Sequence, residues 1–245
     1  MKRLNRYFAG LLVCIVLITE GASVAALPEG GVVLGSTRLV LTPSARTTSL
    51  LIRNGAGRVW LTQVRILDAQ ERESEKFVVL PPLFRLEAGS EAKVRVTAVG
   101  QPEDYPADRE AVWYVHALTV PASTQPGHGE GERSELRIGL ENVIKLFWRP
   151  ASLKTPTAEV YRQVAFTRVD GGVKGCNQSR YYLSFDRLVF DGQRVDLNRE
   201  PAMLSPLACE TYKVSARKVS WAMIDDHGGS SEVFTDEVRL AGVVK

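Results

Sequence analysis

The sequence predicts an all-β fold for most of its 245 residues, and three observations carry that prediction. Short runs rich in Val, Leu, Thr and aromatic residues recur along the chain, split by Gly, Pro, Asn and Asp. No apolar stripe of helical period and useful length follows the N-terminal segment. Pro150 interrupts the series and biases Arg149 before it to an extended conformation, after which the same rhythm resumes. Two all-β domains, 27–149 and 150–245, are the simplest arrangement.

The first 26 residues stand apart. Lys2, Arg3 and Arg6 precede an apolar run from Phe8 to Ile18 that is short for a bilayer span. Val24-Ala25-Ala26 then offers the small residues of a cleavage site, so 1–26 reads as a secretory signal, with an uncleaved anchor as the alternative. Cys14 lies inside the run, but Val13 before it is not the small residue a lipoprotein site needs. Removing the segment takes Lys2, Arg3, Arg6 and Glu20 with it. The formal net charge of +3 then falls close to neutral, with no clustered basic footprint for nucleic acid.

In the first domain the strands read in order as Val32–Leu41, Thr48–Arg53, Val59–Leu67, Phe77–Leu80, Ala92–Val99, Val112–Val120 and Glu135–Phe147. About seven strands in roughly 120 residues is the count of an immunoglobulin-like sandwich. The second domain continues with Val164–Val169, Tyr181–Val189, Arg194–Leu197, Thr211–Ala216, Val219–Ile224 and Val233–Leu240. DGQ at 191–193 and DDHGG at 225–229 are the turns between them. STQPGHGEGERSE, 123–135, reads as a polar loop.

That loop leads into SELRIGLENVIKLFWRP, 134–150. Leu136, Ile138 and Leu140 alternate with Arg137 and Gly139, which puts the three apolar side chains on one face. Lys145 then interrupts an apolar run between Ile144 and Leu146. By pattern alone the apolar row faces either this domain's own core or a partner. Lys145 is either a snorkelling side chain or a binding group.

Enzyme signatures are missing. His116, His128 and His227 are scattered, and neither HExxH nor CxxC occurs, so no metal or other cofactor is expected. There is no phosphate loop, dinucleotide fingerprint or GxSxG elbow. Asp225 and Asp226, in a Gly-flanked turn, read as turn formers rather than a catalytic pair. Trp60, Trp113, Trp148 and Trp221 read as core rather than a sugar platform. Cys176 and Cys209 form an even pair in an exported chain. They read as a disulfide, with two buried thiols as the alternative.

Several motifs in order and spacing carry a resemblance. FVVLPPLFRLEAG (77–89), DREAVWYVHALTVP (108–121) and VIKLFWRP (143–150) closely resemble the periplasmic chaperones of pilus assembly by the chaperone–usher route. GVVLGSTRLVL (31–41) looks like their first strand and IDDHGG (224–229) like their second-domain turn. The resemblance spans the predicted mature chain, more strongly in the first domain. It implies two immunoglobulin-like domains in an L-shaped arrangement. It also implies a non-enzymatic binding protein that receives pilus subunits in the periplasm. Each subunit is an incomplete sandwich, to which the chaperone lends a strand by donor-strand complementation before delivery to the outer-membrane usher.

Matched residue by residue, Leu136, Ile138 and Leu140 take the place of the family's donor-strand row. Arg38 and Lys145 take that of the pair that holds the subunit's C-terminal carboxylate, chemistry that suits two convergent cations. Glu110, Arg149 and Asp226 match an interdomain charge network, with Asp225 a competing assignment. The resemblance implies pilus subunits and the usher as partners, and neither nucleic acid nor membrane insertion after signal removal. CNQSRYY (176–182) departs from the family's Asn-Pro-type turn. The short 123–135 loop, with no flanking cysteine pair, resembles the short F–G loop subfamily. Two other readings remain: a structural pilus subunit or adhesin, and an exported carbohydrate-binding sandwich. The first calls for one incomplete domain with an N-terminal extension; the second lacks any supporting constellation.

Overall fold

The computed structural model describes residues 30–122 and 138–240. The predicted signal segment, the 123–135 loop and Leu136 lie outside them. Nine strands build the first domain: β1 (Val32–Leu34), β2 (Arg38–Leu41), β3 (Thr47–Asn54), β4 (Trp60–Leu67), β5 (Phe77–Leu80), β6 (Leu83–Leu86), β7 (Glu91–Ala98), β8 (Ala111–Pro121) and β9 (Leu140–Trp148). They form two sheets, ordered β1-β3-β7-β5 and β2-β9-β8-β4-β6. Period-two alternation sends Leu50, Ile52, Val94 and Val96 from the first sheet, and Val64, Val115 and Leu146 from the second, into one dry core. Aromatic rings seal one end of it. Trp148 stacks on Tyr105 at 4.0 Å, and Tyr105 donates its hydroxyl to the carbonyls of Lys76 and Val99.

The expected single strand Val32–Leu41 is in fact two strands in different sheets. β1 pairs antiparallel with β3, whereas β2 pairs parallel with β9. The chain crosses between them at Gly35, whose amide donates to the Leu51 carbonyl at 2.8 Å. A Cβ there would sit 3.1 Å from that of Leu51, so any larger residue would have to push Leu51 back by a few tenths of an ångström. The apolar runs 32–34 and 39–41 are separated only by Gly35, Ser36, Thr37 and Arg38, and that short polar stretch marks the crossing. β6, not expected, follows the Pro81-Pro82 break and pairs with β4 instead of staying beside β5.

The second domain opens on one helical turn, α1 (Ala158–Tyr161). Then come β10 (Val164–Val169), β11 (Gly172–Asn177), β12 (Leu183–Phe190), β13 (Gln193–Arg194), β14 (Met203–Leu204), β15 (Cys209–Tyr212), β16 (Lys218–Met223), β17 (Phe234–Glu237) and β18 (Arg239–Leu240). Its sheets run β15-β11-β10-β18 and β13-β12-β16-β17, with β14 beside β12. Phe166, Phe185, Phe190, Tyr212 and Trp221 dominate the core. β11 was not expected: GVKGCN is glycine-rich and weak in strand propensity, yet it pairs on both sides. β15 starts earlier than the predicted Thr211–Ala216 and turns away after Tyr212. The predicted Val233–Leu240 breaks at Val238, whose amide bonds the Arg217 carbonyl before β18 joins the opposite sheet.

Both domains close their strand ends with the same device. Asn54 donates its amide to the carbonyls of Arg58, Leu86 and Glu87 and accepts from the Ala56 amide. Asn177 donates to those of Tyr181, Leu204 and Ser205 and accepts from the Ser179 amide. Each is a fully buried polar side chain with its capacity met. Cys176 and Cys209 sit directly opposite each other on β11 and β15 and are joined by a disulfide that ties an edge strand to its sheet.

Candidate functional site

The site is built on the edge of β9. β8 pairs with β9 along its whole length, from Thr119↔Leu140 to Ala111↔Trp148. On the other edge β2 pairs only with Lys145–Trp148. Because β1 has left for the opposite sheet, the residues before Lys145 present an unoccupied edge among the described residues. An even-numbered side chain of β9 points to the core side. Leu146 and Trp148 are buried there and Ile144 packs against them. The row continues past the end of the core, where Leu140 and Ile138 are 49% and 63% exposed. Leu140 and the core row are therefore one face of one strand, wet at its start and dry at its end, and Ile138 lies just before that strand. Leu136 lies outside the described residues.

The odd-numbered side chains point to the outer face. Here Arg38, the first residue of β2, stands directly opposite Lys145. Arg38 is 7% exposed, its Nη1 donating to the Ile224 carbonyl of the second domain at 2.9 Å and its guanidinium lying 5.8 Å from the Phe147 ring centroid. Its Nε is buried without a partner among the described residues. Lys145 is partly buried. Burial first, and the Arg38 charge second, push its ammonium below the ordinary lysine value. Arg38 is likewise lowered by burial, which Asp226, Tyr161 and Asp225 oppose. Two desolvated cations side by side have the charge and the donors to accept an anion.

Behind this pair lies the charge network. Arg149 donates Nε to Glu110 Oε1 at 2.7 Å, and Nη1 and Nη2 to the two carboxylate oxygens of Asp226 at 2.7 and 2.8 Å. Glu110 also accepts the Tyr182 amide at 2.8 Å. Burial opposes charge on Arg149, but the Asp226 and Glu110 bonds outweigh it and hold the guanidinium protonated. Burial pushes Glu110 up, against the pull of Arg149. The fork reaches from the first domain to the β16–β17 turn of the second. Of the two candidate aspartates, Asp226 faces Arg149. Asp225 instead accepts the amides of His227 and Gly229 and shapes its own turn.

Three contacts were not legible in the sequence. Tyr182 packs against Phe147 at 5.8 Å, the Ile224 carbonyl braces Arg38, and the turn at Gly228 lies so close to Thr37 that a Cβ there would meet its hydroxyl. All three join residues far apart in the chain, and only the outward parity of Phe147 hints at a second-domain partner.

Known proteins match this architecture. The sequence model described as pili and flagellar-assembly chaperone, PapD N-terminal domain, matches residues 31–154. The one described as pili assembly chaperone PapD, C-terminal domain, matches 159–235. The probable fimbrial chaperone protein ElfD of Escherichia coli O157:H7 is 30% identical over 222 residues, 88% of this chain and 90% of that protein. Chaperone protein LpfB of Salmonella typhimurium is 29% identical over 216 residues, 86% and 90% of the two chains. Among solved structures, the E. coli chaperone DraB superposes with a TM-score of 0.73 at 29% identity, covering 85% of this chain and 97% of its own. A chain of the Salmonella enterica SafA pilin–SafB chaperone complex gives 0.75 at 25% identity, covering 85% and 96%.

Proposed function

The chain belongs to the PapD family of non-enzymatic pilus assembly chaperones, and from that premise we propose how it holds a pilus subunit. A subunit strand lies along the unoccupied edge of β9, and Ile138 and Leu140, with Leu136 before them, fill the subunit's groove. The strand ends at Lys145, where its terminal carboxylate meets Lys145 and Arg38. The Glu110–Arg149–Asp226 network holds the two domains at the angle that keeps Arg38 over this point.

The observation that carries this reading is the change of occupant along one edge. From Lys145 onward the neighbour of β9 is β2; before Lys145 that place is vacant among the described residues. A chain filling it must stop against Arg38, the first residue of β2. If it ran antiparallel to β9 it would bring an ammonium terminus against two cations. Running parallel, it brings a carboxylate. Charge thus selects both the terminus and the direction, and the pinned end fixes the register, since a one-residue slip would turn the subunit's apolar side chains outward. Each apolar side chain that the groove buries is worth about 1.5–3 kcal/mol before ordering costs.

The work is done in the periplasm, after removal of 1–26, and ends with delivery to the outer-membrane usher. The short 123–135 segment supports the short-loop branch of the family. Co-purification of the mature protein with a subunit expressed in the same periplasm tests the proposal. Lys145→Ala and Arg38→Ala are each expected to abolish the stable complex while the free chaperone keeps its circular dichroism spectrum. Full recovery of complex with either variant overturns the anchor.

A further inference from the structure

The outer face of β9 carries a second charged feature, four residues before the anchor. Glu141 shares the odd-numbered face with Val143 and Lys145. Its side chain is 40% exposed, and its Oε1 lies 3.2 Å from Nδ1 of His116 on β8. His116 is much less exposed, 15%, and sits one strand further from the edge. On that face it lies opposite Val143 on one side and Arg65 of β4 on the other. The imidazole thus steadies the carboxylate from the inner side. The carboxylate itself stands at the rim, on the edge where β9 has no described neighbour.

Resting on the proposed mode of subunit binding, we infer that Glu141 is a specificity-determining residue that selects a lysine or arginine at the fifth position from the subunit's C-terminus. In a parallel pair whose last residue faces Lys145, the residue beside Glu141 is the one four places earlier. Period two puts it on the same outer face, not in the groove. Neighbouring side chains across a strand pair lie close enough for opposite charges to attract and like charges to repel. The apolar row therefore supplies affinity common to any extended apolar segment. Glu141 distinguishes among such segments by charge, and disfavours those with an acid at this position.

The test uses the mature chaperone and four ten-residue peptides of alternating Thr and Val. Two end in a free carboxylate and carry Lys or Glu at the fifth position from the end; the other two are their C-terminal amides. The Lys acid is expected to bind roughly fivefold more tightly than the Glu acid, and added salt to narrow the gap. Glu141→Lys should reverse the order. Glu141→Gln, which leaves the shape of the strand alone, should abolish it. If amidation weakens binding but Lys and Glu peptides bind alike, the specificity role is overturned and the anchor stands. Should the amides bind as well as the acids, or none of the four bind, the proposed subunit site falls and this inference with it.

Discussion

Arg38 and Lys145 stand directly opposite each other in a parallel strand pair, and burial lowers both below their ordinary values. An unfolded lysine titrates at 10.5, so between the lowered value and 10.5 the unfolded chain binds more protons than the folded one. Lys145 therefore makes the free protein gain stability as pH rises through that window. A bound carboxylate draws the value back up, so the complex should lose affinity as pH rises through the same window. Thermal melts and subunit binding, followed as pH rises towards 10.5, should slope in opposite directions. Lys145→Met should flatten both contributions. A variant whose two curves keep the wild-type slopes would assign the effect to another group.

Arg149 is the joint of the interdomain fork, and its removal should cost more than loss of Asp226. Arg149→Ala strands Glu110, whose side chain is 2% exposed, as an uncompensated buried charge. A loss of about 3–5 kcal/mol is expected in denaturant unfolding. Asp226 is wetter, with a side chain 19% exposed, and Asp226→Asn keeps an acceptor for the guanidinium. Its expected cost is about 1.5–3 kcal/mol. Glu110→Gln combined with Arg149→Met should recover much of the loss, because it removes both buried charges together. Additive losses in that double variant would show that the two groups do not act as a pair.

The sequence announced the strands wherever alternation ran uninterrupted, as in β3, β4, β7 and β8. It also singled out Arg38, Lys145, Glu110 and Arg149, because those positions sit in motifs that a family resemblance can match one by one. It was silent on what sheet topology decides. The crossing is marked within 32–41 only by the short stretch Gly35-Ser36-Thr37-Arg38, yet it leaves the edge of β9 before Lys145 without a neighbour among the described residues. Asp225 and Asp226 are chemically alike and adjacent. Only the turn geometry, which spends Asp225 on the amides of His227 and Gly229, tells them apart. Asn177 illustrates the opposite case. The segment CNQSRYY departs from the expected Asn-Pro turn, but its asparagine repeats the clamp made by Asn54.

The Cys176–Cys209 bridge closes a separation of 33 residues and ties the edge strand β15 to β11. Loop-closure entropy puts its contribution at about 4 kcal/mol. Reductant should lower the denaturation midpoint of the second domain, and the Cys176→Ala, Cys209→Ala double variant should match the reduced protein. Subunit binding at the β9 edge, which lies in the first domain, should survive in the double variant at temperatures where it is folded. Loss of binding in a folded double variant would tie the bridge to the site.

The contact between Gly228 and Thr37 offers the sharpest test of domain coupling. Gly228 has a φ of +86°, and a Cβ there would run into the Thr37 hydroxyl. Gly228→Ala therefore combines backbone strain, about 1 kcal/mol or more, with a steric push between the domains. The push moves the turn that carries Asp226 away from Arg149 and draws the Ile224 carbonyl off Arg38. Subunit binding should then weaken, although no residue proposed to touch the subunit has changed. Thr37→Ala alone should be close to neutral. Combined with Gly228→Ala it should restore binding while leaving the strain in stability, so the two readouts separate. If the double variant binds no better than Gly228→Ala, the loss arises within the turn and not from the angle between the domains.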